Sequence, residues 1–349
     1  MKILIPIFGF GAQGGYRVLS RLATEWQGMG IHTDFLVPEG SDVPYFETAG
    51  GIRRVSCSGE VFSGSSGRPP LRGQDRFRAL LKGLRAVRGE YDLFLANQAF
   101  TPWLLLAAQV PAHKRAYYIQ AYEPDFFRLP RQPLHWLLAK GSYAVPARRI
   151  VNAPLYRRYK GIRANHWVPP GIDLDTFTPR GSGDTGERFM IGCIGRHEPE
   201  KGIGYLLQAF ERLHAGDPRY RLRVAFGNLP AGWRHPAAEV VPVAGDTELA
   251  AFYRSLDVLV APGTLQHGAV HYPVMEAMAC GVPVVTTGYL PATQENAWIV
   301  ANRDVDAIVE AVRQVDQDEG RDRRVKRGLQ SVQAFAWDRV AAKMLAVLQ

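Results

Sequence analysis

Two cations five residues apart, Arg196 and Lys201, stand in GCIGRHEPEKGIG, where an apolar strand passes into an amphipathic helix. Arginine can clamp two oxygens of an anion and lysine adds a compact point charge, so the pair suits a diphosphate. A surface helix would account for Lys201 alone, but not for Gly195-Arg196 with Lys201-Gly202 at a strand end. A second group of candidates lies between Ala261 and Thr287, in APGTLQHGAVHYPVMEAMACGVPVVTT. Here the strand LDVLVAP leads through a loop holding Gly263, His267, Gly268, His271 and Pro273 into a helix at Val274–Ala279, which Gly281 ends. Strand, glycine-bearing loop and helix start together present free amides and a positive dipole end to an anion. Glu276, in the first turns of that helix, can accept hydrogen bonds from a neutral polyol while the loop amides hold phosphate. An ordinary βαβ crossover with an exposed helix-start glutamate fits the same residues, because the dipole favours that charge.

A third group opens the chain. KILIPIF reads as a buried strand, and Leu19, Leu22, Ala23 and Trp26 recur at helical spacing from near Gly15. Gly9-x-Gly11-x-x-Gly14 matches the dinucleotide fingerprint, and Asp34 falls twenty residues after Gly14. That pattern admits a nicotinamide-dependent oxidoreductase, although Asp34 lies inside the second strand IHTDFLVP and not at its end. Alternatively, Gly14-Gly15 let the backbone approach a phosphate. Asp173-x-Asp175 formally offers a carboxylate pair to a metal, but no other His, Asp or Glu cluster has ligand spacing. Cys57, Cys193 and Cys280 form no CxxC pair and no disulfide framework.

The elements that must position these groups alternate strand with helix through both halves, the pattern of doubly wound parallel sheets. VPPG at 168–171 is the best boundary, since paired prolines and a glycine stop regular structure. Residues 57–75, rich in Gly, Ser and Pro, read as a loop in the first half, either a lid or a plain connection. AYYIQAYEPDFF reads as a strand entering an aromatic, acid-bearing loop.

EAMACGVPVV, with Pro273 three residues before Glu276, and the GR…KG pair at Gly195-Arg196 and Lys201-Gly202, resemble the retaining family-four glycosyltransferases. PGID followed by Phe177 and Pro179 resembles that family's interdomain connector. The resemblance spans nearly the whole chain, strong at 192–202 and 273–285 and diffuse over 30–165. It implies an α/β protein of the GT-B fold, two Rossmann-like doubly wound domains facing across a cleft. These are an acceptor-binding domain over residues 1–168 and a nucleotide-sugar domain over 171–334, with a last helix at about 335–349 crossing back. It implies transfer of a sugar from a nucleotide-diphosphate sugar to a hydroxyl, with retention, in polysaccharide, glycolipid or other glycoconjugate synthesis. Arg196, Lys201, Gln120 and Glu123 would carry catalysis, Gln120 standing nearest a catalytic-loop histidine of the family. Gly14, Gly15, Gly195, Arg196, Lys201, Gly268, Ala269, Val270, His271, Tyr272 and Glu276 would hold the donor, Glu276 through its ribose. No metal or other cofactor is expected, since the cations and the helix dipole would stabilise the leaving diphosphate. One departure stands out: the family carries two glutamates eight positions apart, and Gly268 takes the first place. Either the donor sugar lacks the hydroxyl that glutamate binds, or His267 or His271 replaces it, or the chain binds nucleotide sugar as an inactive partner subunit.

An apolar content of 46% over 349 residues suits two ordinary globular domains. No run approaches the roughly 18 apolar residues of a membrane span, and MKILIPIFGFG reads as a first strand and not a signal peptide. A cytoplasmic protein is the expectation. Charge is uneven: residues 1–170 hold 23 Lys and Arg against 11 Asp and Glu, and residues 171–349 hold 19 against 22, so +9 overall divides into +12 and −3. Between Lys114 and Arg163 eleven basic residues face two acids, which points to an anionic membrane surface and a peripheral location. The expected partners are a UDP, GDP, dTDP or ADP sugar and a glycan, lipid-linked or small-molecule acceptor, with no nucleic acid.

Overall fold

The computed structural model describes residues 1–65, 67–179 and 187–349. They form two compact units, Met1–Gly171 with Trp337–Gln349, and Ile172–Ala336.

Strands β1 (Lys2–Pro6), β2 (His32–Pro38), β3 (Gly51–Val55), β4 (Val61–Ser63), β5 (Leu93–Ala96), β6 (Arg115–Ile119), β7 (Arg148–Val151) and β8 (His166–Trp167) build the sheet of the first unit. Their order is β4-β3-β2-β1-β5-β6-β7-β8, parallel except for the β3–β4 pair. Central strands such as LFLA are buried on both faces because helices cover both sides, so they read as unbroken apolar runs. Among those helices are α1 (Gly14–Gly28), α2 (Gln74–Val87), α3 (Thr101–Ala107) and α4 (Pro133–Ser142). Val18, Leu19, Leu22 and Trp26 of α1 pack with Ile3, Ile5 and Phe35 into one core.

The second unit carries β9 (Phe189–Ile194), β10 (Tyr220–Ala225), β11 (Ala238–Val241), β12 (Val258–Ala261), β13 (Val284–Thr286) and β14 (Trp298–Ile299). They lie in the order β11-β10-β9-β12-β13-β14, with every pairing parallel. Helices α5 (Ile203–Gly216), α6 (Asp246–Arg254), α7 (Tyr272–Ala279), α8 (Val305–Gln317) and α9 (Arg321–Val332) accompany it. Leu206, Phe210, Leu222, Val258, Val285 and Ile308 lie in its core.

The last helix, α10 (Trp337–Leu348), belongs to the first unit. It buries Trp337, Val340, Ala341, Met344 and Leu348 there, and Trp26 donates its indole N–H to the Ala341 carbonyl at 3.1 Å. Large apolar side chains buried this way contribute about 1.5–3 kcal/mol each, which fixes the helix on this unit. The Trp337 ring lies so close over Gly171 that a β-carbon at 171 would collide with it, which explains a glycine after the paired prolines.

Three expectations change. The stretch 57–75 is not wholly a loop: Val61–Ser63 pairs antiparallel with Gly51–Val55, while residue 66 lies outside the described residues. Helix α7 starts at Tyr272, two residues early, with Pro273 in its first turn where no amide is missed. The basic run from Lys114 to Arg163 is not one solvated face. Arg115 is buried and donates to the carbonyls of Val110 and Pro146. Arg148 and Arg149 likewise serve Val347 and Val145.

Candidate functional site

In an open parallel sheet, the crevice at a reversal of strand order, beyond the carboxyl ends of the strands, is where loops part and ligands bind. The second unit has its reversal between β9 and β12. At the end of β9, Gly195 passes so near Asn228 and the Ala225 carbonyl that an added β-carbon would lie 2.8 Å and 2.9 Å from them. Arg196 follows, exposed, and a 3-10 turn at Pro199–Lys201 brings Lys201 back. Gly202, at φ +73°, presses against the Pro262 carbonyl, where no side chain would fit. Thr264 donates its amide to the Glu200 carbonyl at 2.7 Å, so the loops after β9 and β12 are stitched together.

These loops enclose a cavity of about 30 Å³ lined by Arg196, Lys201, Gly263, His271, Pro273 and Tyr289. It has room for about one water. Burial lowers the Lys201 pKa, and the neighbouring Arg196 charge lowers it further. His271 is half-buried and stacks on Tyr289 with centroids 4.4 Å apart and planes at 17°. Burial pushes its imidazole down to about 3, with Lys201 and Arg196 acting the same way, so it is neutral at pH 7. Its Nδ1 has no hydrogen-bond partner among the described residues. His267 differs, since its Nε2 donates to the Gly263 carbonyl at 3.0 Å. Outside the small cavity, Arg196 also lines an open depression of about 540 Å³ with Gly202, Tyr205, Leu229 and Pro230.

Glu276 does not behave as an exposed helix-start charge. It is only 3% exposed and accepts a 2.8 Å hydrogen bond from the Tyr253 hydroxyl on α6. It does not line the cavity that joins Arg196, Lys201 and His271. Gly268 sits at φ +84°, a conformation that favours glycine. The amides of Gly268, Ala269 and His271 donate to the carbonyls of Gly288, Gln266 and Leu290. At these three positions the backbone expected to hold a sugar is therefore paired within the protein. Val270 bridges Leu290, and Tyr272 opens α7.

The first unit has its own reversal between β1 and β5. Beyond those strand ends lies a pocket of about 500 Å³ lined by Gln13, Gly15, Tyr16, Asn97, Gln98, Gln120 and Glu123, with Leu19, Phe100 and Phe126 as apolar wall. Gln120 donates to the Gly15 carbonyl at 3.4 Å, and a β-carbon on Gly15 would sit 3.2 Å from its amide nitrogen. Gly14 has open space around it. Glu123 accepts the Ala99 amide at 2.9 Å, and burial pushes its carboxyl up to about 7. Tyr122, between Gln120 and Glu123, stacks on Tyr159 and Tyr143.

Two other readings lose their residues. Asp34, needed as a ribose ligand by the dinucleotide reading, is buried in mid-strand, where it accepts from Tyr91 at 2.5 Å and pairs with His32. Asp173 accepts from the amides of Asp175 and Thr176 and from the Thr176 hydroxyl, so it orders a turn. Among the described residues no group of three His, Cys, Asp or Glu could hold a metal ion.

Residues 188–318 match the family model described as glycosyl transferases group 1. The second unit is a glycosyl transferases group 1 domain. The chain is 29% identical over 213 residues to D-inositol 3-phosphate glycosyltransferase of Actinosynnema mirum, covering 51% of this chain and 50% of that one. It is 30% identical over 211 residues to an MMP alpha-(1->4)-mannosyltransferase of Mycolicibacterium hassiacum, covering 53% and 48%. The chain thus spans about half the length of the curated relatives it matches. Among solved structures, sucrose-phosphate synthase from Thermosynechococcus elongatus superposes with TM-score 0.71 at 19% identity, over 99% of this chain and 98% of that one. HepE of Anabaena, solved with UDP-glucose, gives 0.69 at 14% identity, over 99% of each. The fold is GT-B, two Rossmann-like parallel-sheet domains.

Within the glycosyl transferases group 1 domain, sequence reasoning missed Tyr253 and Tyr289, the partners of Glu276 and His271. No motif marks either tyrosine. Tyr289 follows the apolar run of β13, a weak signal, whereas Tyr253 lies within α6 and carries none.

Proposed function

We propose that this chain transfers a glycosyl group from a nucleotide-diphosphate sugar to a hydroxyl acceptor, with retention of configuration. The carrying observation is that Arg196 and Lys201 stand close enough to lower the Lys201 pKa, at a strand-order reversal, and neither forms an ion pair among the described residues. Glu198 and Glu200 of the intervening turn lie near enough to act on Lys201, but two cations that no carboxylate pairs directly remain a receptor for a diphosphate. The 30 Å³ cavity is too small for a phosphate, so the anion would lie over the two cations, with the nucleoside in the neighbouring depression.

In this reading the bond between the anomeric carbon and the diphosphate oxygen breaks as the acceptor oxygen attacks the same face. The acceptor proton passes to the leaving phosphate, and Arg196 and Lys201 offset the charge that develops there. Neutral His271, in the same small cavity as both cations, would offer a hydrogen bond to the transferred sugar, the role that Gly268 cannot fill. The pocket holding Gln120 and Glu123 would receive the acceptor.

The test is release of nucleoside diphosphate from UDP-glucose, GDP-mannose, a dTDP sugar and ADP-glucose, by wild type and by His271→Ala. The variant should lose most of its turnover while binding the free nucleoside diphosphate as wild type does. Normal turnover in the variant removes His271 from the sugar. Nucleotide binding with no sugar consumed would instead mark a binding subunit, the outcome that Gly268 in the glutamate position favours.

A further inference from the structure

We propose that the first unit docks on an anionic lipid bilayer through the surface formed by residues 125–140. Four large apolar side chains within twelve residues are exposed: Phe126 by 65%, Leu129 by 53%, Leu134 by 63% and Leu137 by 61%. Leu134 and Leu137 are three apart and so share one face of α4. The opposite side of the helix is anchored, with Ala139 and Ser142 buried and the Trp103 indole donating to the Leu138 carbonyl at 2.9 Å. The exposed leucines are thus held outward by packing behind them.

Cations surround this apolar surface. Arg128, Arg131 and Lys140 are exposed within it, and Lys140 lies 4.5 Å above the Trp136 ring. Tyr122 stacks on Tyr159 with centroids 4.4 Å apart, which brings the exposed Arg157, Arg158 and Lys160 beside the Glu123–Phe126 turn. Asp125 is the one exposed acid between Lys114 and Arg163. Apolar side chains enter the boundary between headgroups and acyl chains while lysine and arginine meet anionic headgroups, so both halves of the surface are satisfied at once. A second copy related by a two-fold axis would set these cations against themselves. A nucleic acid would neutralise the cations and leave the leucines in water.

Phe126 also lines the 500 Å³ pocket of this unit. The pocket therefore borders the docked face, and a hydroxyl acceptor carried on a lipid would reach it from the bilayer. That consequence rests on reading the pocket as the acceptor site, whereas the docking does not.

The experiment is co-sedimentation of the full chain with vesicles of phosphatidylcholine, with and without phosphatidylglycerol, at low and high salt. Wild type should partition onto the anionic vesicles at least about tenfold better than onto the neutral ones, and less so in high salt. The double variant Leu134→Ser, Leu137→Ser should lose about tenfold of that partitioning, while thermal unfolding is unchanged because both sites are exposed. Arg128→Ala with Arg131→Ala, a second variant that leaves the leucines in place, should lose the preference for anionic over neutral vesicles. The proposal is overturned if wild type stays in the supernatant with both vesicles, sediments equally with both, or matches the double serine variant.

Discussion

Removing the Arg196 guanidinium should weaken binding of a nucleoside diphosphate far more than binding of its nucleoside. Arg196 is exposed, follows the end of β9 and lines both the small cavity and the larger depression. A hydrogen bond to a charged group contributes about 1.5–3 kcal/mol, so Arg196→Ala should raise the diphosphate dissociation constant roughly tenfold to a hundredfold. Part of this is offset. Burial holds the Lys201 pKa down and the Arg196 charge adds to it, so without Arg196 the second part is relieved and Lys201 meets the anion without a competitor. The single variant should therefore fall at the lower end of the range, and the double variant with Lys201→Ala should exceed it. Titration calorimetry with UDP, GDP, dTDP and ADP, each against its nucleoside, measures the difference. Nucleoside affinity should change far less than diphosphate affinity, and raising the salt should narrow the gap between wild type and variant, since exposed charges are screened. Equal losses for nucleoside and diphosphate, or less than about a twofold effect on the diphosphate, would refute the cation receptor.

Two further outcomes follow from local geometry. Gly268→Glu restores the carboxylate of the resembled family in sequence but not in space, because Gly268 has φ +84°. The variant should lose about 1–2 kcal/mol of stability and turn over no faster than wild type; a faster, equally stable variant would show that the loop tolerates the side chain. Glu123 has a folded pKa of about 7 against an ordinary 4.5. Its contribution to stability is fully present below pH 4.5 and is lost as pH rises through 7, up to about 3 kcal/mol. Denaturation midpoints of Glu123→Gln should fall less than those of wild type across that window, and parallel profiles would remove Glu123 as the cause.

Much of this molecule is written locally along the chain. Apolar runs such as KILIP and VLVA mark buried parallel strands, because a strand covered on both faces has no polar side to show. The cations at 196 and 201 are also marked locally, by a strand end, a short turn and a helix start, although the Thr264 amide on the Glu200 carbonyl pins that turn from 64 residues away. The glycine at 202 belongs with them, for its left-handed φ and its contact with Pro262 leave room for nothing larger.

Pairings between distant segments carried no such mark. Glu276 looks like a solvated helix-start charge until α6 folds over it and Tyr253 arrives from 23 residues away. His271 and His267 are alike as loop histidines, yet one stacks on Tyr289 beside two cations and the other is tied to the Gly263 carbonyl. The basic run from Lys114 to Arg163 divides into arginines that satisfy carbonyls of other segments and cations that face solvent, a division that depends on which segments pack beside each one. PLHWLLAK reads as an apolar helix ready for a core, but Trp103 and the buried Ala139 take one face and leave Leu134 and Leu137 in water. Helical periodicity fixes which residues share a face; burial is decided by what the rest of the chain brings to that face.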